Sequence, residues 1–351
     1  MQSFVALEQL LAQVPGPLVT RLGRVDAGRG REDLNRARLP ELLTELAARA
    51  RVQSITASSA LEGVAVADPA RAAKVIEGRV SLRTRSEQEL AGYRRALDYL
   101  FSTDWRPLNA GLVLHLHREL FAETAGQAGV FKTDDNLVVD RDADGSVTVR
   151  FTPVQAAQTP FYVSELIACY LDATRAGRHH PVLLAGLFVL DLLTIHPFND
   201  GNGRVARVLT NALLAEAGYG VGRYMSIEQL VAEDADTYYT ALLASTQGWH
   251  ETGHDPWPWL DFFTLLLDRA YDRLERGVSG AGPIGTKQDR VADFVRHHAG
   301  PTFRIADIRT ALPGISDPTI RLALETLKGQ GLIAVDGAGR SATWRKLLAE
   351  R

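Results

Sequence analysis

The sequence predicts an all-α protein that carries one β-hairpin and a small separate C-terminal domain. Apolar residues recur at spacings of three and four along most of the chain, whereas strand-like alternation is confined to one convincing stretch. Hydrophobic residues make up 46% of the 351 residues, which is typical of a globular protein. The net charge of −3 gives no general attraction to nucleic acid or to an anionic membrane.

The first 276 residues predict a helical body in two parts, an N-terminal helical region over 1–105 and a core over 106–276. Apolar residues recur with helical spacing at Leu42–Ala50 and Leu90–Leu97. The same pattern predicts helices over 108–121, 160–173 and 257–274.

Three negative observations bear on the compartment. The first residues lack the positive start of a secretory signal, and the longest apolar run, Val182–Ile195, is too short to span a bilayer. Cys169 stands alone, which excludes an internal disulfide. We therefore expect a cytoplasmic protein.

One β-hairpin is predicted inside the core. Asn136–Asp140 and Ser146–Phe151 are rich in β-branched residues, and Asp144-Gly145 lies between them. An Asp-Gly pair between two such runs is typical of a tight hairpin turn.

A glycine-rich, uncharged linker over 277–285 predicts a domain boundary, and residues 286–351 predict a small domain of their own. Helices are expected at Lys287–His297, Ile305–Leu312 and Asp317–Gln330, followed by a short hairpin, an order that resembles a winged helix-turn-helix. The third helix carries only Arg321 and Lys328 as basic residues. DNA binding and protein contact both remain open for this domain.

The densest functional signal is the segment His196–Arg207, which reads HPFNDGNGRVAR. It lies between two predicted helices, where Pro197 prevents a simple continuation of the first one. Gly201 and Gly203 permit a tight turn that opens directly into the second helix. Such a turn directs several backbone N–H groups at one point, which predicts an anion-binding site.

The side chains of this segment fit a phosphoryl-type transfer. Arg204 and Arg207 are three residues apart on one helical face, so both are expected to reach phosphate oxygens. Asp200 is a hard oxygen ligand suited to Mg²⁺. His196 is largely neutral at pH 7 and can accept a proton. The sequence has no Walker A motif and no Gly-x-Gly-x-x-Gly motif that follows a strand.

Two histidines of one predicted helix are a weaker candidate for a metal site. His115 and His117 are two residues apart, so they lie on different helical faces and do not chelate one metal. We expect one packed and one surface histidine.

These residues resemble the Fic family, whose motif HxFx(D/E)GNGRxxR matches at every specified position. Three further features extend the resemblance over about residues 40–275. Gly129–Lys132 resembles the start of the family's flap, with Lys132 in place of the usual arginine. Tyr238 and Tyr239 resemble the tyrosine pair near the adenine pocket, and Ser58–Gly63 matches the motif (S/T)xxxE(G/N) of an inhibitory helix.

The resemblance implies a protein adenylyltransferase that transfers AMP from ATP to a hydroxyl side chain of a target protein. His196 would be the base, and Asp200 would hold Mg²⁺. The hairpin flap would align the target by β-augmentation. The nucleotide-binding residues would be Gly201, Asn202, Gly203, Arg204, Val205, Ala206, Arg207, Tyr238 and Tyr239.

The resemblance also implies inhibition and a possible homodimer. An inhibitory helix is expected at about residues 54–63, in which Ser58 and Glu62 lie one turn apart. Glu62 would pair with Arg207 and place negative charge where the γ-phosphate of ATP should lie.

Two other functions remain open. A Fic enzyme could instead remove AMP, or use another nucleotide or a phosphodiester donor. A non-enzymatic transcription regulator could sense a ligand through the Fic domain and bind DNA through the winged helix.

Overall fold

The computed structural model describes residues 1–66, 68–124, 128–141, 147–279, 287–312, 314–337 and 342–347. Helices dominate these residues, and the strands form two small antiparallel sheets, which confirms the predicted all-α class. The helices are α1 Gln2–Val5, α2 Leu7–Leu11, α3 Gly16–Arg38, α4 Pro40–Ala60, α5 Pro69–Ile76, α6 Arg85–Ser102, α7 Ala110–Phe121, α8 Thr159–Ala176, α9 Pro181–Ile195, α10 Asn202–Glu216, α11 Ile227–Glu233, α12 Ala235–Thr246, α13 Trp257–Ser279, α14 Lys287–His297, α15 Ile305–Ala311 and α16 Asp317–Gly329. The strands are β1 Val138–Arg141, β2 Val147–Phe151, β3 Thr302–Phe303, β4 Ile333–Asp336 and β5 Thr343–Lys346, and short 3₁₀ turns lie at Ala156–Gln158, Val221–Arg223 and Trp249–Glu251.

The chain forms two compact units. The first comprises residues 1–36 and 46–273, and the second comprises residues 37–45 and 274–351. The predicted N-terminal region and catalytic core thus lie mostly in one unit. Residues 277–279 of the predicted linker close α13, while residues 280–286 lie outside the described part of the chain.

Helix α9 is the centre of the first unit. It is apolar nearly all round, and α1, α8, α10 and α12 pack against it. Gly186 allows close approach of α13, whose Trp259 donates its indole N–H to the Gly186 carbonyl at 2.8 Å. Asp191 is the buried charge of this helix, and Ser3 and Trp249 donate hydrogen bonds to it. This packing holds the C-terminal end of α9 in place, where the candidate site begins.

The predicted hairpin is present. Strands β1 and β2 pair antiparallel, with Val139 opposite Val149 and an irregularity between Val138 and Val139. The strands begin and end within two residues of the predicted runs. The predicted turn Asp144-Gly145 lies outside the described residues.

The second unit contains the predicted elements of the C-terminal domain. Helices α14, α15 and α16 surround a core that includes Val291, Ile308, Leu324 and Trp344. Strands β3, β5 and β4 form an antiparallel sheet in that order. The order of helices and hairpin is the predicted one, and the assignment as a winged helix-turn-helix stays a prediction.

Across all the described residues, no helix combines the length and the apolar content needed to cross a bilayer.

Candidate active site

The loop between α9 and α10 places a histidine at its start in an unusual backbone conformation. His196 ends α9 with a φ of 52°, a left-handed value that is uncommon for any residue except glycine. Its Nδ1–H donates to the carbonyl of Leu193 at 3.2 Å, because a carbonyl can only accept. This fixes the tautomer and leaves a lone pair on Nε2.

The surroundings of His196 keep its ring neutral. Burial of the ring lowers its pKa to about 4, and the nearby Lys132 ammonium acts in the same direction. The hydrogen bond to Leu193 and the carboxylates of Glu62 and Asp200 oppose this shift. At pH 7 the ring is a free base.

The middle of the loop is closed by a reciprocal pair of hydrogen bonds. Asn202 accepts from the backbone N–H of Phe198 at 2.9 Å and donates to its carbonyl at 2.7 Å. The Phe198 side chain is 1% exposed and anchors the loop in the core. The Asn202 amide, which the sequence predicts to bind phosphate, is therefore engaged in the loop.

The first turn of α10 supplies the anion-binding feature that the sequence predicts. Gly201 precedes the helix with a φ of 82°, a conformation that glycine adopts without strain. The first backbone hydrogen bond of the helix runs from Val205 N–H to the Gly201 carbonyl at 2.9 Å. The N–H groups of residues 202–204 precede it and lie at the positive end of the helix dipole.

Asp200 stands at the entrance of this turn. One carboxylate oxygen accepts from the Gly201 N–H at 2.6 Å and from Arg204 at 3.2 Å. The side chain is 53% exposed, and its second oxygen lies 4.0 Å from Arg85. Among the described residues no cluster of three or more His, Cys, Asp or Glu could hold a metal. The donor set therefore fits only a cation held chiefly by its ligand's oxygens, as Mg²⁺ is on a nucleotide.

Arg204 is held inside the protein by carboxylates. It is 1% exposed, and it pairs with Glu89 at 2.8 Å as well as with Asp200. Its guanidinium also lies 4.8 Å from the centre of the Phe121 ring. Sequence spacing placed Arg204 and Arg207 on one face, but the structure gives them different partners on different helices.

Arg207 contacts the end of α4. It donates from Nε to the Ser58 hydroxyl at 2.9 Å, and from Nη2 to the Ser58 carbonyl at 3.1 Å and to Glu62 at 2.7 Å. Burial is the largest single influence on the pKa of Arg207 and lowers it, but the Glu62 carboxylate, Tyr238 and Tyr93 together outweigh burial, so the pKa rises. Helix α4 ends at Ala60, so Glu62 projects from the turn that follows.

Glu62 lies over the first turn of α10. A side chain at position 203 would collide with the Glu62 carboxylate and with Arg207, so only glycine admits this approach. The carboxylate thus lies beside the helix N-terminus that is suited to an anion. Val205 and Ala206, each 1% exposed, can contribute to this site only through the backbone.

Comparisons with known proteins agree with this geometry. Residues 107–214 match the family model described as Fic/DOC family. Residues 107–214 form a Fic/DOC domain. The chain is 55% identical over 113 residues to a protein adenylyltransferase Fic of Nematostella vectensis, and 28% identical over 156 residues to one of Drosophila virilis. These segments cover 32% and 43% of this chain but only 23% and 30% of those relatives.

Solved structures extend the likeness of fold beyond the Fic domain. A Fic family protein from Desulfovibrio desulfuricans G20 covers 97% of this chain and 98% of its own, with a TM-score of 0.60 at 21% identity. A Fic-domain signalling protein from Bacteroides thetaiotaomicron covers 75% of this chain and 99% of its own, also with a TM-score of 0.60, at 20% identity. At these identities the likeness concerns the fold.

The two tyrosines that the resemblance places near the adenine pocket have different surroundings. Tyr238 is buried against Trp259 and Phe262. Tyr239 is half-buried, and its hydroxyl donates to the carbonyl of Leu61, next to Glu62, at 3.4 Å. Tyr239 is thus the partly exposed tyrosine of the two and lies next to the end of α4, with the Arg150 guanidinium 5.4 Å from the centre of its ring.

His117 contacts the loop from α7, and sequence analysis gave it no role. Its ring stacks on Phe198 with centroids 3.9 Å apart and an angle of 6° between the planes. Nε2 donates to the Asp200 carbonyl at 3.2 Å, and Nδ1 accepts from the Gly129 N–H at 2.9 Å. Burial lowers the pKa of His117 to about 4. Helical spacing predicts that one of His115 and His117 is packed, and His117 is the buried one. Its partners are distant in sequence.

Proposed function

We propose that this protein transfers AMP from ATP to a hydroxyl side chain of a target protein. The observation that carries the proposal is the position of His196, a neutral base with a free Nε2, at the start of the loop that leads to the N-terminus of α10. A base and a triphosphate site on one short loop suit attack of a hydroxyl on a phosphorus atom. The names of the adenylyltransferase relatives support the same reaction.

In the proposed reaction His196 takes the proton of the target hydroxyl on Nε2. The hydroxyl oxygen forms a bond to the α-phosphorus, and the bond from that phosphorus to the bridging oxygen breaks, so pyrophosphate leaves. The N–H groups at the start of α10 hold phosphate oxygens, and Arg207 supplies charge once it is free of Glu62. Asp200 would hold Mg²⁺, which neutralises phosphate charge when bound.

We also propose that the described state is inhibited by Glu62. Its carboxylate pairs with Arg207 and lies beside Gly203, where phosphate oxygens would bind. Two negative groups at contact distance in a partly desolvated site repel each other strongly. A triphosphate could then bind only in a displaced pose, with its α-phosphorus away from the attacking hydroxyl.

The hairpin supplies the surface for the target protein. In its two-stranded sheet, β1 and β2 pair with each other, so each strand offers its other edge to an added segment. Leu137 and Val149 are exposed on this hairpin, at 56% and 51%. An extended target segment would add as a third strand through main-chain hydrogen bonds, which brings a hydroxyl to the loop.

The C-terminal unit is proposed to contact protein rather than DNA. On α16 the acidic residues Asp317 and Glu325 lie beside Arg309 and Lys328, at 2.7 and 3.8 Å. This reduces the positive charge that phosphate binding requires. A duplex shift that weakens steeply with salt would favour the DNA-binding alternative instead.

Label transfer tests the proposed function. Wild type, Glu62→Gly and Glu62→Gly with His196→Ala are incubated with α-³²P-ATP or γ-³²P-ATP, each with Mg²⁺ and host lysate. We expect protein labelling from the α position only, in the Glu62→Gly variant, and lost when His196 is also changed. Labelling from the γ position alone would show phosphoryl transfer, and labelling that survives loss of His196 would exclude its role as base.

A further inference from the structure

Lys132, at the base of the hairpin, is a buried lysine with neutral partners. Its side chain is 4% exposed, and its ammonium donates to the Asn136 side-chain oxygen at 2.8 Å and to the Ile195 carbonyl at 3.3 Å. Among the described residues no carboxylate lies within ion-pair distance of it. Burial lowers the pKa of Lys132 to about 8, and the Asp135 carboxylate opposes this shift only in part. Burying a charged group that is bonded only to neutral groups costs free energy, so the retention of a lysine here calls for a reason.

Lys132 and Asn136 together hold the backbone on both sides of His196. The Ile195 carbonyl accepts from the Lys132 ammonium, and the Pro197 carbonyl accepts from the Lys132 backbone N–H at 3.0 Å. The Phe198 carbonyl accepts from the Asn136 amide at 3.0 Å. Three carbonyls that flank the histidine are thus fixed by two residues of one short segment. We refer to these two residues as the loop clamp.

The conformation of His196 explains why such a clamp is needed. A left-handed backbone at a residue other than glycine is strained and persists only where its surroundings enforce it. The hydrogen bonds inside the loop, from Asn202 to Phe198, lie on one side of the histidine only. On the preceding side His196 itself donates to the carbonyls of Leu192 and Leu193, and the clamp adds bonds to the carbonyls of Ile195 and Pro197.

We propose that Lys132, with Asn136, is a positioning residue that holds His196 in its left-handed conformation and presents Nε2 to the target hydroxyl. This rests on the proposed function only in taking His196 as the base. The proximity of the ammonium also disfavours a proton on the imidazole, in the same direction as burial and against the carboxylates of Glu62 and Asp200. Lys132 thereby affects both the orientation of the His196 ring and its protonation state.

The test uses the full chain with Glu62→Gly, so that transfer is measurable. Lys132→Met removes the charge and keeps most of the volume, and Lys132→Arg is the conservative variant. Lys74→Met, at an exposed position on α5, is the matched control. Asn136→Ala removes the bond to the Phe198 carbonyl and one acceptor of the Lys132 ammonium but keeps the charge of Lys132, and it serves if Lys132→Met does not fold. The readouts are kcat and KM for ATP, and the pKa of His196 from NMR of labelled histidine, assigned by its loss in His196→Ala.

For Lys132→Met we expect kcat to fall at least about tenfold while KM for ATP changes less than about threefold. We expect the pKa of His196 to rise by about one unit. Lys132→Arg should recover most of kcat, Lys74→Met should match the parent, and Asn136→Ala should lower kcat with little change in the pKa. A folded Lys132→Met with unchanged kcat and unchanged pKa would overturn the proposal. If no variant transfers AMP, the NMR titration still decides about Lys132, so the two proposals fail separately.

Discussion

Asn202 and Phe198 exchange two hydrogen bonds across the candidate loop, from N–H to side-chain oxygen at 2.9 Å and from side-chain amide to carbonyl at 2.7 Å. Both residues are buried. Asparagine is the side chain that offers a donor and an acceptor in this short geometry. The loop is therefore rigid by its own bonds before any ligand arrives.

Asn202→Asp should open this loop. The aspartate keeps the acceptor for the Phe198 N–H but turns the donor into a second acceptor facing the Phe198 carbonyl. The Phe198 carbonyl keeps its bond from Asn136, but the new aspartate oxygen faces this carbonyl instead of a donor. A lost hydrogen bond that leaves a buried acceptor unpaired costs about 1–3 kcal/mol. We expect a lower melting temperature and transfer reduced at least about tenfold. Asn35→Asp on α3 is the matched control, and an Asn202→Asp protein that melts and works like the parent would contradict the account.

We expect His117 to make the free energy of unfolding depend on pH. Its pKa is about 4 in the folded protein against about 6.5 when unfolded, so the unfolded chain binds more protons between these values. Its contribution is complete above pH 6.5 and is lost as the pH falls toward 4. His196 contributes in the same direction.

His117→Phe keeps the stacking on Phe198 and removes the titration. Urea unfolding at pH 7.5 and pH 5 should show the variant less stable at pH 7.5. The difference between variant and wild type in the free energy of unfolding should be smaller by about 2 kcal/mol at pH 5. This value follows from the change in the pKa of His117 from about 6.5 in the unfolded chain to about 4 in the folded protein. An equal gap at both pH values would mean that His117 does not titrate in this window.

The left-handed backbone at His196 should make the protein less stable than it would be with glycine at this position. Glycine adopts this conformation without strain and alanine does not. We expect His196→Gly to be more stable than His196→Ala by about 1 kcal/mol, with transfer lost in both by about 10²–10⁴-fold. Thermal unfolding and label transfer check this. Equal stability of the two variants would show that the backbone at position 196 relaxes freely.

The sequence predicts the residues of the candidate site better than it predicts the residues that hold them in place. The spacing from His196 to Arg207 predicts the loop and the helix that follows it, because proline and glycine act locally on the backbone. The motif at Ser58 predicts the contact of Glu62 with Arg207, which the structure contains. Its inhibitory effect stays a prediction.

The partners that hold the site lie far away in sequence, which is why spacing did not predict them. Glu89 pairs with Arg204 from 115 residues away, and the Lys132 ammonium reaches Ile195 across 63. Helical spacing marks such residues as buried but does not name the atoms they meet. The resemblance marked Lys132 only as a departure from the usual arginine.

Asp200→Asn separates two roles of Asp200. The Gly201 N–H donates to the Asp200 carboxylate at 2.6 Å, and asparagine keeps an oxygen that can accept this bond. Asparagine lacks the negative charge that binds a cation. We expect Mg²⁺-dependent transfer to fall at least about tenfold, with nucleotide affinity in EDTA unchanged. Calorimetry and label transfer give the two values. Equal losses with and without Mg²⁺ would reduce Asp200 to a loop cap.

The contact of Glu62 with Arg207 makes the sharpest prediction. Glu62 bears a negative charge beside Gly203, and Arg207 is kept from any phosphate by this pair and by Ser58. Glu62→Gly removes charge and bulk, so ATP should reach its reactive pose and auto-labelling from α-³²P-ATP should rise at least about tenfold. Glu62→Gln keeps the bulk and removes only the charge, so its labelling should lie between wild type and Glu62→Gly if repulsion of the γ-phosphate contributes. Adding Arg207→Ala to Glu62→Gly should abolish the gain, because the freed arginine is then needed for phosphate.

Glu77→Gly, at an exposed position, controls for loss of a carboxylate. If Glu62→Gly labels no better than wild type or Glu77→Gly, Glu62 does not inhibit and its bond to Arg207 only fastens the end of α4.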